Sequence, residues 1–297
     1  MSMPLRQSLR LGAYLAKQKI KRVEKFPLLV ELEPLFACNL KCAGCGKIEQ
    51  PHDVLKKRMP VEQAVAAVLE SGAPMVSIAG GEPLMHKQID EIVRQLLDRN
   101  KIVFLCTNAV LLPKHIDKFA PHRNFAWMVH IDGMRDRHDE SVRKIGVFDQ
   151  AVAAIEECGA PMVSIAGGEP LMHPQIDVLV AELIKRKKYV FLCTNALLLP
   201  KHLHKFTPHR NFAWMVHIDG LAERHDESVR KVGGFDAAIA ALKQAKEAGF
   251  RVLTNTTFFN TDTPHDVIGV LDYLNDVVKV DNMQISPAYA YGKAPDQ

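Results

Sequence analysis

Three cysteines lie within eight residues of one another in the run FACNLKCAGCGK. Cys38, Cys42 and Cys45 have the spacing C-x3-C-x2-C. A loop of this length can place thiolates at three corners of a 4Fe-4S cube and leave the fourth iron without a protein ligand. Such an open iron can be chelated by a substrate. The alternative is a zinc site completed by His52, although thiolate zinc sites usually pair two C-x2-C units.

A glycine-rich turn with a carboxylate follows the next apolar run, and the turn occurs twice. The two copies of GGEP begin with Gly80, Gly81 and Glu82, and with Gly167, Gly168 and Glu169. Glycine lets the backbone approach a ligand, and a carboxylate accepts from an ammonium group. Alone, the turn is a common loop. Its place one strand after the cysteine loop makes it a candidate ligand turn.

A long block of the sequence is also repeated. Residues 72–155 and 159–242 align without a gap at an offset of 87, and 63 of the 84 aligned positions are identical. Stacked repeat proteins use shorter units of about 20 to 50 residues, so we interpret this block as a tandem duplication within one domain. The stretches 64–67 and 151–154 both read AVAA, so a crossover there would join one helix to another in register.

Length and composition indicate an ordinary globular chain. The 297 residues are 47% hydrophobic and 24% charged, which is too apolar for disorder. No apolar run reaches the roughly 18 to 20 residues of a transmembrane helix, and no apolar signal segment begins the chain. We therefore expect a cytoplasmic protein.

Positive charge is concentrated at the N-terminus. Residues 1–25 contain seven Lys or Arg and one Glu, a local charge of +6, and the total of +4 leaves −2 for the remainder. Apolar residues recur there at near-helical spacing, which predicts a basic amphipathic helix over 1–25. Such a helix can lie on the inner face of a membrane or pack against the domain at 26–297. Nothing indicates a nucleic-acid partner.

Short apolar runs alternate with amphipathic segments along the rest of the chain. The predicted strands are 28–32, 75–78, 102–106, 125–131, 162–165, 189–193, 212–218, 251–257 and 282–286. Helical spacing between them is typical of parallel strands joined by helices. The expected fold is therefore an α/β barrel of βα units with its ligand groups at the carboxyl ends of the strands. Without one copy of the repeat, 210 residues and six strands remain.

The cysteine loop after the first strand and the GGEP turn after the second resemble the radical S-adenosylmethionine (SAM) superfamily. The resemblance implies a partial (βα)6 barrel, which the duplication would extend to about nine strands. It also implies a 4Fe-4S cluster held by Cys38, Cys42 and Cys45, with SAM chelated to the open iron. In that superfamily the GGEP turn contacts the methionine amino group of SAM.

A closer resemblance extends over essentially the whole chain. The runs PLFACNLKCAGCGKI, GAPMVSIAGGEPL, FLCTNALLL, VHIDG, TNTTFFNTDTP and ISPAYAYGKAPDQ resemble the adenosylhopene transferases of hopanoid biosynthesis. That family joins the 5′-deoxyadenosyl group to the alkene of diploptene, a pentacyclic triterpene. The resemblance implies an electron donor such as flavodoxin or ferredoxin. Family members continue past the position of Gln297, so we expect a segment that helps to close the barrel to be missing.

Addition of a primary radical to this alkene leaves a tertiary carbon radical, which a thiol can reduce. Cys106 ends a predicted strand, where its thiol can point into the barrel mouth, and Cys193 is its copy. The alternative for both is a small buried apolar side chain. Further candidates for SAM contacts at strand ends are Asn108, Asp132, Asn255 and Ser286. Asn and Asp after strands also cap turns and helices, which is the alternative for Asn108, Asp132 and Asn255. Ser286 resembles the sixth-strand element that lies beside adenine in the superfamily.

Two GGEP turns compete for one cluster. The first follows the cluster strand through a single crossover, the usual relation of neighbours, which favours Glu82. The second copy connects directly to Asn255 and Ser286, so a barrel built from the first strand and that copy is the alternative. Two other functions remain open: a radical SAM enzyme that abstracts hydrogen, and an inactive product that only binds a cluster.

Overall fold

The computed structural model describes residues 5–23, 26–43, 45–159, 161–166 and 168–288. Nine strands lie in these ranges: β1 (Leu29–Leu32), β2 (Met75–Ile78), β3 (Ile102–Thr107), β4 (Phe125–Ile131), β5 (Met162–Ile165), β6 (Tyr189–Thr194), β7 (Phe212–His217), β8 (Arg251–Phe258) and β9 (Asn282–Pro287). The predicted α/β class with nine strands is confirmed, and each predicted strand ends within one residue of the observed one.

Twelve α-helices lie in the same described ranges. They are α1 (Leu5–Ile20), α2 (His52–Lys56), α3 (Val61–Glu70), α4 (Ile89–Asp98), α5 (Leu112–His115), α6 (Arg135–Ser141), α7 (Val147–Cys158), α8 (Ile176–Lys185), α9 (Leu199–His202), α10 (Ala222–Val229), α11 (Gly234–Glu247) and α12 (Pro264–Tyr273). Among them, none has both the length and the apolarity to cross a bilayer.

The chain divides into two compact units. The first comprises Met1–His130 and Arg143–Met162, and the second comprises Ile131–Val142 and Val163–Gln297. In the first unit, β1 to β4 pair in chain order and in parallel. In the second, β5 from Val163 onward and β6 to β9 follow in chain order, and β6 to β9 pair in parallel. The assignment of 26–297 to one domain stays a prediction.

The pattern of burial along β3 shows on which face of the strand the Cys106 thiol lies. Val103 and Leu105 have no exposed surface, whereas Phe104 and Cys106, which alternate with them, are partly exposed. Helix α4 contacts this strand and buries apolar residues at helical spacing. Because strand side chains alternate between faces, the helix covers one face, and Cys106 belongs to the other.

Candidate functional site

The three cysteines follow β1, in the segment that leads to α2. Cys38, Cys42 and Cys45 are each partly exposed. The backbone N–H of Cys45 donates to the Cys42 carbonyl at 3.3 Å, so the C-x2-C pair forms a tight turn. Within the described ranges, no three His, Cys, Asp or Glu side chains are grouped as ligands of a single metal ion. The donor set offered by the loop is three thiols.

Burial is the main cause of the raised pKa of Cys38. The negative charges of Glu82 and Cys45 raise this pKa further, while the backbone N–H of Leu40 and the side-chain amide of Asn108 lower it. A thiolate at this position is therefore costly unless a cation neutralises it. A cluster iron supplies that positive charge, so the surroundings of Cys38 fit an iron-bound sulfur.

The first GGEP turn packs directly on the backbone that precedes Cys38. The N–H of Gly81 donates to the Leu35 carbonyl at 3.0 Å, and the N–H of Glu82 donates to the Ala37 carbonyl at 2.9 Å. A Cβ atom on Gly81 would lie 2.1 Å from the Ala37 oxygen. Glycine is required because only its missing side chain allows this approach.

Glu82 holds the turn to the end of β3. Its carboxylate accepts from the N–H of Leu84 at 3.0 Å, from the hydroxyl of Thr107 at 3.0 Å and from the N–H of Asn108 at 2.8 Å. The side chain has no exposed surface, and burial raises its pKa to about 7 despite these bonds. In this arrangement the carboxylate positions the turn, and it is not the exposed acceptor that the simplest interpretation of GGEP expects.

Asn108 links this turn to the cysteine loop. Its side-chain Nδ2 lies 2.8 Å from Oδ1 of Asn39 and 3.6 Å from Sγ of Cys38. Asn39 Nδ2 is buried and has no hydrogen-bond partner among the residues that the structure describes. A buried donor of this kind costs roughly 1 to 3 kcal/mol when it stays unsatisfied. A cluster sulfur is an acceptor that would satisfy it, so the loop fits the cofactor by this criterion as well.

Cys106 lies between two neighbouring strands on the face opposite α4. Its Sγ is 3.3 Å from Oγ of Ser77 on β2 and 3.8 Å from Sδ of Met128 on β4. Burial, with a smaller contribution from the charges of Glu31 and Glu82, raises the pKa of Cys106 to about 12. The side chain therefore keeps its S–H at neutral pH.

The second copy repeats the carboxylate scaffold. Glu169 accepts from the N–H of Leu171 at 3.0 Å, from the Thr194 hydroxyl at 2.8 Å and from the N–H of Asn195 at 2.9 Å. Here, however, Glu169 is partly exposed and Asn195 is exposed. The local sequence therefore dictates the scaffold in both copies, while the burial differs.

The glycines of the second turn have different surroundings. A Cβ atom on Gly168 would meet no described atom within 4 Å, and this residue has φ of +49°. Gly167 lies outside the described residues. Cys193, the copy of Cys106, has Sγ 3.7 Å from Oγ of Ser164, and burial raises its pKa to about 11. The close packing that demands glycine is a property of the first copy.

Asp132 makes local contacts with two side chains of the helix that follows it. Its carboxylate accepts from the hydroxyl of Ser141 at 2.6 Å, and its N–H donates to Nδ1 of His138 at 3.0 Å. Both partners belong to α6. Helix α6 has Met134 as its N-cap, with no side-chain cap bond, so these contacts are not a helix cap. A contact of Asp132 with SAM stays a prediction.

The copy of Asp132 lies in a larger network. Oδ1 of Asp219 is 2.6 Å from Nε2 of His217 and accepts from the N–H of Thr257 at 3.0 Å, while Oδ2 accepts from the Ser228 hydroxyl. Burial raises the pKa of Asp219, but His217 and the other donors outweigh it, so the net shift is downward. His217 and Asp219 belong to the second VHIDG run of the sequence.

Asn255 and Ser286 are neighbours on β8 and β9. The hydroxyl of Ser286 donates to Oδ1 of Asn255 at 3.3 Å. Both residues belong to the second unit, whereas the cysteine loop, Glu82, Asn108 and Cys106 belong to the first. The first unit alone thus brings together four of the predicted features. The sequence gives no signal for Asn39, Ser77 or Met128, because their contacts depend on strand register.

Comparison with protein-family models shows which family the chain belongs to. The Radical SAM superfamily matches this chain over residues 32–160 and again over 158–274. The chain belongs to the radical SAM superfamily. Membership implies a 4Fe-4S cluster and SAM as cofactors, and it confirms the superfamily resemblance seen in the motifs. The cluster would be held by the three cysteines of the loop.

Curated relatives of this radical SAM protein match only parts of it. The Fe-coproporphyrin III synthase of Methanosarcina barkeri is 26% identical over 126 residues, which are 41% of this chain and 31% of that protein. The AdoMet-dependent heme synthase of the same organism is 30% identical over 135 residues, with coverages of 44% and 38%. A probable GTP 3′,8-cyclase of Methanococcus maripaludis is 36% identical over 84 residues, with coverages of 27% and 28%. The chain thus spans about a third of the length of these relatives.

Two solved structures are similar to the radical SAM chain at low identity. Native anSMEcpe with bound AdoMet and Cp18Cys peptide has 17% identity and a TM-score of 0.43, and the match covers 86% of this chain and 63% of that one. SuiB of Streptococcus suis bound to S-adenosylmethionine has 14% identity and a TM-score of 0.42, with coverages of 94% and 54%.

Proposed function

We propose that this radical SAM protein is an adenosyl transferase that adds the 5′-deoxyadenosyl group to the alkene of diploptene and forms adenosylhopane. The observation that carries the proposal is the thiol of Cys106, held 3.3 Å from Ser77 Oγ and 3.8 Å from Met128 Sδ, in the same unit as the cysteine loop and the first GGEP turn. Addition to an alkene needs a hydrogen donor afterwards, whereas hydrogen abstraction does not. The whole-chain resemblance in the motifs supports the choice of substrate.

The residues of the first unit have separate tasks in this proposal. When bound, the cluster and SAM supply the 5′-deoxyadenosyl radical. Cys38, Cys42 and Cys45 hold the cluster. The backbone of the first GGEP turn binds the methionine end of SAM, and the buried carboxylate of Glu82 keeps that backbone in place. We assign the SAM site to this copy because its turn packs on the cysteine loop.

Cys106 Sγ donates a hydrogen atom to the tertiary carbon radical that remains once the new C–C bond has formed. The S–H bond breaks and a tertiary C–H bond forms, which is downhill because the S–H bond is weaker. The resulting sulfur radical returns to the thiol with one electron and one proton. A flavodoxin or ferredoxin supplies the electron. A thiolate has no hydrogen atom to give, so the high pKa of Cys106 suits this task.

The protein would meet its lipid substrate at the inner face of a membrane, through α1. One side of this helix packs on the protein, since the Tyr14 hydroxyl donates to the Pro27 carbonyl at 2.9 Å and the Tyr14 ring contacts Phe26. The opposite side exposes an apolar stripe formed by Leu9, Ala13, Ala16 and Ile20. These residues are spaced by four, three and four positions, as one face of a helix requires. An exposed apolar stripe on a basic helix is typical of anionic membrane surfaces.

The test is an analysis of the products by mass spectrometry. Anaerobically reconstituted protein is mixed with a reductant, SAM and diploptene. We expect an adenosine adduct of hopane. Free 5′-deoxyadenosine without the adduct would support hydrogen abstraction in place of the transferase. Neither product, from protein that holds four irons, would indicate a chain that binds a cluster without turnover.

A further inference from the structure

We infer that Asn108 and Asn39 form an amide pair that positions Cys38 and raises the reduction potential of the cluster by donating hydrogen bonds to sulfur. Asn108 Nδ2 lies 3.6 Å from Cys38 Sγ and 2.8 Å from Asn39 Oδ1. The inference rests on the cluster implied by the superfamily and not on the proposed alkene substrate. It therefore stays testable if that substrate is wrong.

The orientation of the Asn108 amide is determined by its other contacts. Its Oδ1 accepts from the N–H of Val110 at 3.1 Å, and its own N–H is held by Glu82 at 2.8 Å. This is the local turn that asparagine forms with the backbone two residues later. Because the oxygen is engaged in the turn, Nδ2 must point the other way, toward Cys38 and Asn39. The bonds that hold the GGEP turn therefore also orient Asn108 Nδ2 toward Cys38 Sγ.

Asn39 supplies a second donor. Its Oδ1 accepts from Asn108 Nδ2 at 2.8 Å and lies 3.7 Å from Cys38 Sγ. The Nδ2 at the other end of the same amide is buried and has no partner among the described residues. Asn39 is adjacent in sequence to Cys38, and none of the described residues satisfies its buried Nδ2. A sulfide of the cluster is an acceptor that would satisfy it. The unsatisfied donor therefore fits a pair that lies against a sulfur-rich group.

Hydrogen bonds to sulfur raise the potential of an iron–sulfur cluster. Reduction adds an electron and increases the negative charge on the sulfur atoms. The positive end of an N–H dipole, which points at the sulfur, therefore stabilises the reduced state more than the oxidised state. Outer contacts of this kind also orient the ligands themselves. Removal of the Asn108 amide should therefore make the cluster harder to reduce.

The duplicated block supplies a matched control. Asn195 makes the same local bonds, since its N–H donates to Glu169 at 2.9 Å and its Oδ1 accepts from the N–H of Leu197 at 3.0 Å. It is exposed and belongs to the second unit. Serine preserves the local turn in both copies, but its side chain is too short to reach a sulfur at the Asn108 position.

The experiment measures the midpoint potential of the reconstituted cluster by a redox titration followed by electron paramagnetic resonance. The proteins are wild type, Asn108→Ser, Asn195→Ser and Asn39→Leu, each with its iron and sulfide content determined. We expect a more negative potential for Asn108→Ser and Asn39→Leu, and no change for Asn195→Ser.

Wild-type potentials in Asn108→Ser and Asn39→Leu at full iron content would overturn the inference, as would an equal shift in Asn195→Ser. If Asn108→Ser does not keep four irons, the midpoint potential of Asn39→Leu tests the inference, because this variant leaves the Asn108 turn intact. No turnover of diploptene enters the measurement. A failure here is therefore distinct from a failure of the proposed function.

Discussion

The backbone N–H of Asn108 donates to the carboxylate of Glu82 at 2.8 Å, and this bond ties the end of β3 to the turn that follows β2. The same bond occurs between Asn195 and Glu169 at 2.9 Å. In the first copy, beside the cysteine loop, Glu82 is buried and Asn108 is half-buried, whereas in the second copy Glu169 is half-buried and Asn195 is exposed. Each substitution in the first copy therefore has a counterpart that changes the same local bonds in other surroundings.

The thiol of Cys106 can be tested by Cys106→Ser. Serine retains the size and the contact with Ser77, but its O–H bond is too strong to give a hydrogen atom to a tertiary carbon radical. We expect SAM cleavage to continue while the yield of saturated adenosylhopane falls more than tenfold. A tenfold lower rate corresponds to an activation barrier about 1.4 kcal/mol higher. Mass spectrometry of the nucleosides and adducts measures both quantities.

The control for this variant is Cys193→Ser, which changes the copy of the thiol. Its product yield should stay at the wild-type level. A wild-type yield from Cys106→Ser would exclude Cys106 as the donor, and a loss confined to Cys193→Ser would assign the reaction to the second copy.

Gly81 should tolerate no side chain. In Gly81→Ala the new Cβ would lie 2.1 Å from the backbone oxygen of Ala37, so the turn and the cysteine loop must separate. We expect a loss of roughly 3 kcal/mol in the free energy of unfolding, the upper range for overpacking, together with poor iron incorporation. Chemical unfolding under anaerobic conditions and iron analysis measure the two effects.

Gly168→Ala is the matched substitution. No described atom lies within 4 Å of its Cβ, so only the strain of a positive φ remains, about 1 to 2 kcal/mol. Its iron content should equal that of the wild type. Equal losses of iron in the two variants would show that the first turn does not support the cluster loop.

Glu82 should make stability depend on pH. Burial raises its pKa from 4.5 to about 7, so the folded protein binds a proton that the unfolded chain has lost between these values. The contribution of the protonated carboxyl is present below pH 4.5 and is lost as the pH rises through 7. Glutamine does not titrate. The stability of Glu82→Gln relative to wild type should therefore increase from pH 4.5 to pH 8, by about 3 kcal/mol.

Urea unfolding at several pH values measures this difference. Glu169→Gln removes the corresponding carboxylate where it is partly exposed, and so separates the effect of burial from the loss of the local bonds. A difference between wild type and Glu82→Gln that is the same at pH 5 and pH 8 would contradict the prediction.

The strands could be predicted from the sequence because each is a short apolar run bounded by turn residues, as VFLCTN shows around β3. Parallel order follows from the alternation with helices. The AVAA stretches also lie in helices, at Ala64 in α3 and Ala151 in α7, and both residues are buried. A crossover at this point would therefore preserve a helical face, and the duplication itself stays an interpretation of the repeated sequence.

Contacts between side chains of different strands could not be predicted in the same way. Ser77 meets Cys106 across 29 positions of the sequence, because strand register places them on one face. The motif GGEP predicts a carboxylate near a ligand, but not that Glu82 is buried by bonds to Thr107 and Asn108. The unsatisfied Nδ2 of Asn39 could not be predicted from the sequence either, because the orientation of this side chain depends on the bond between its Oδ1 and Asn108.

The exposed stripe of α1 should bind anionic vesicles. Leu9 and Ile20 are 63% and 82% exposed, and Lys17 and Lys19 are exposed on the same helix. We expect flotation with vesicles of phosphatidylcholine and phosphatidylglycerol, weaker flotation with phosphatidylcholine alone, and loss of binding in the double variant Leu9→Ser, Ile20→Ser. Each lysine near an anionic surface contributes about 1 kcal/mol. The double variant Lys17→Glu, Lys19→Glu should therefore lower the affinity more than tenfold.

The control for the charge variant is Lys185→Glu, which reverses an exposed lysine of α8 in the second unit and should leave flotation unchanged. Light scattering of wild type and Leu9→Ser, Ile20→Ser distinguishes a membrane from a second copy of the chain. A dimer that becomes a monomer in the variant, with no vesicle binding in either, would assign the stripe to self-association. Binding that is independent of lipid charge would contradict the electrostatic part of the prediction, because the flanking lysines would then contribute nothing.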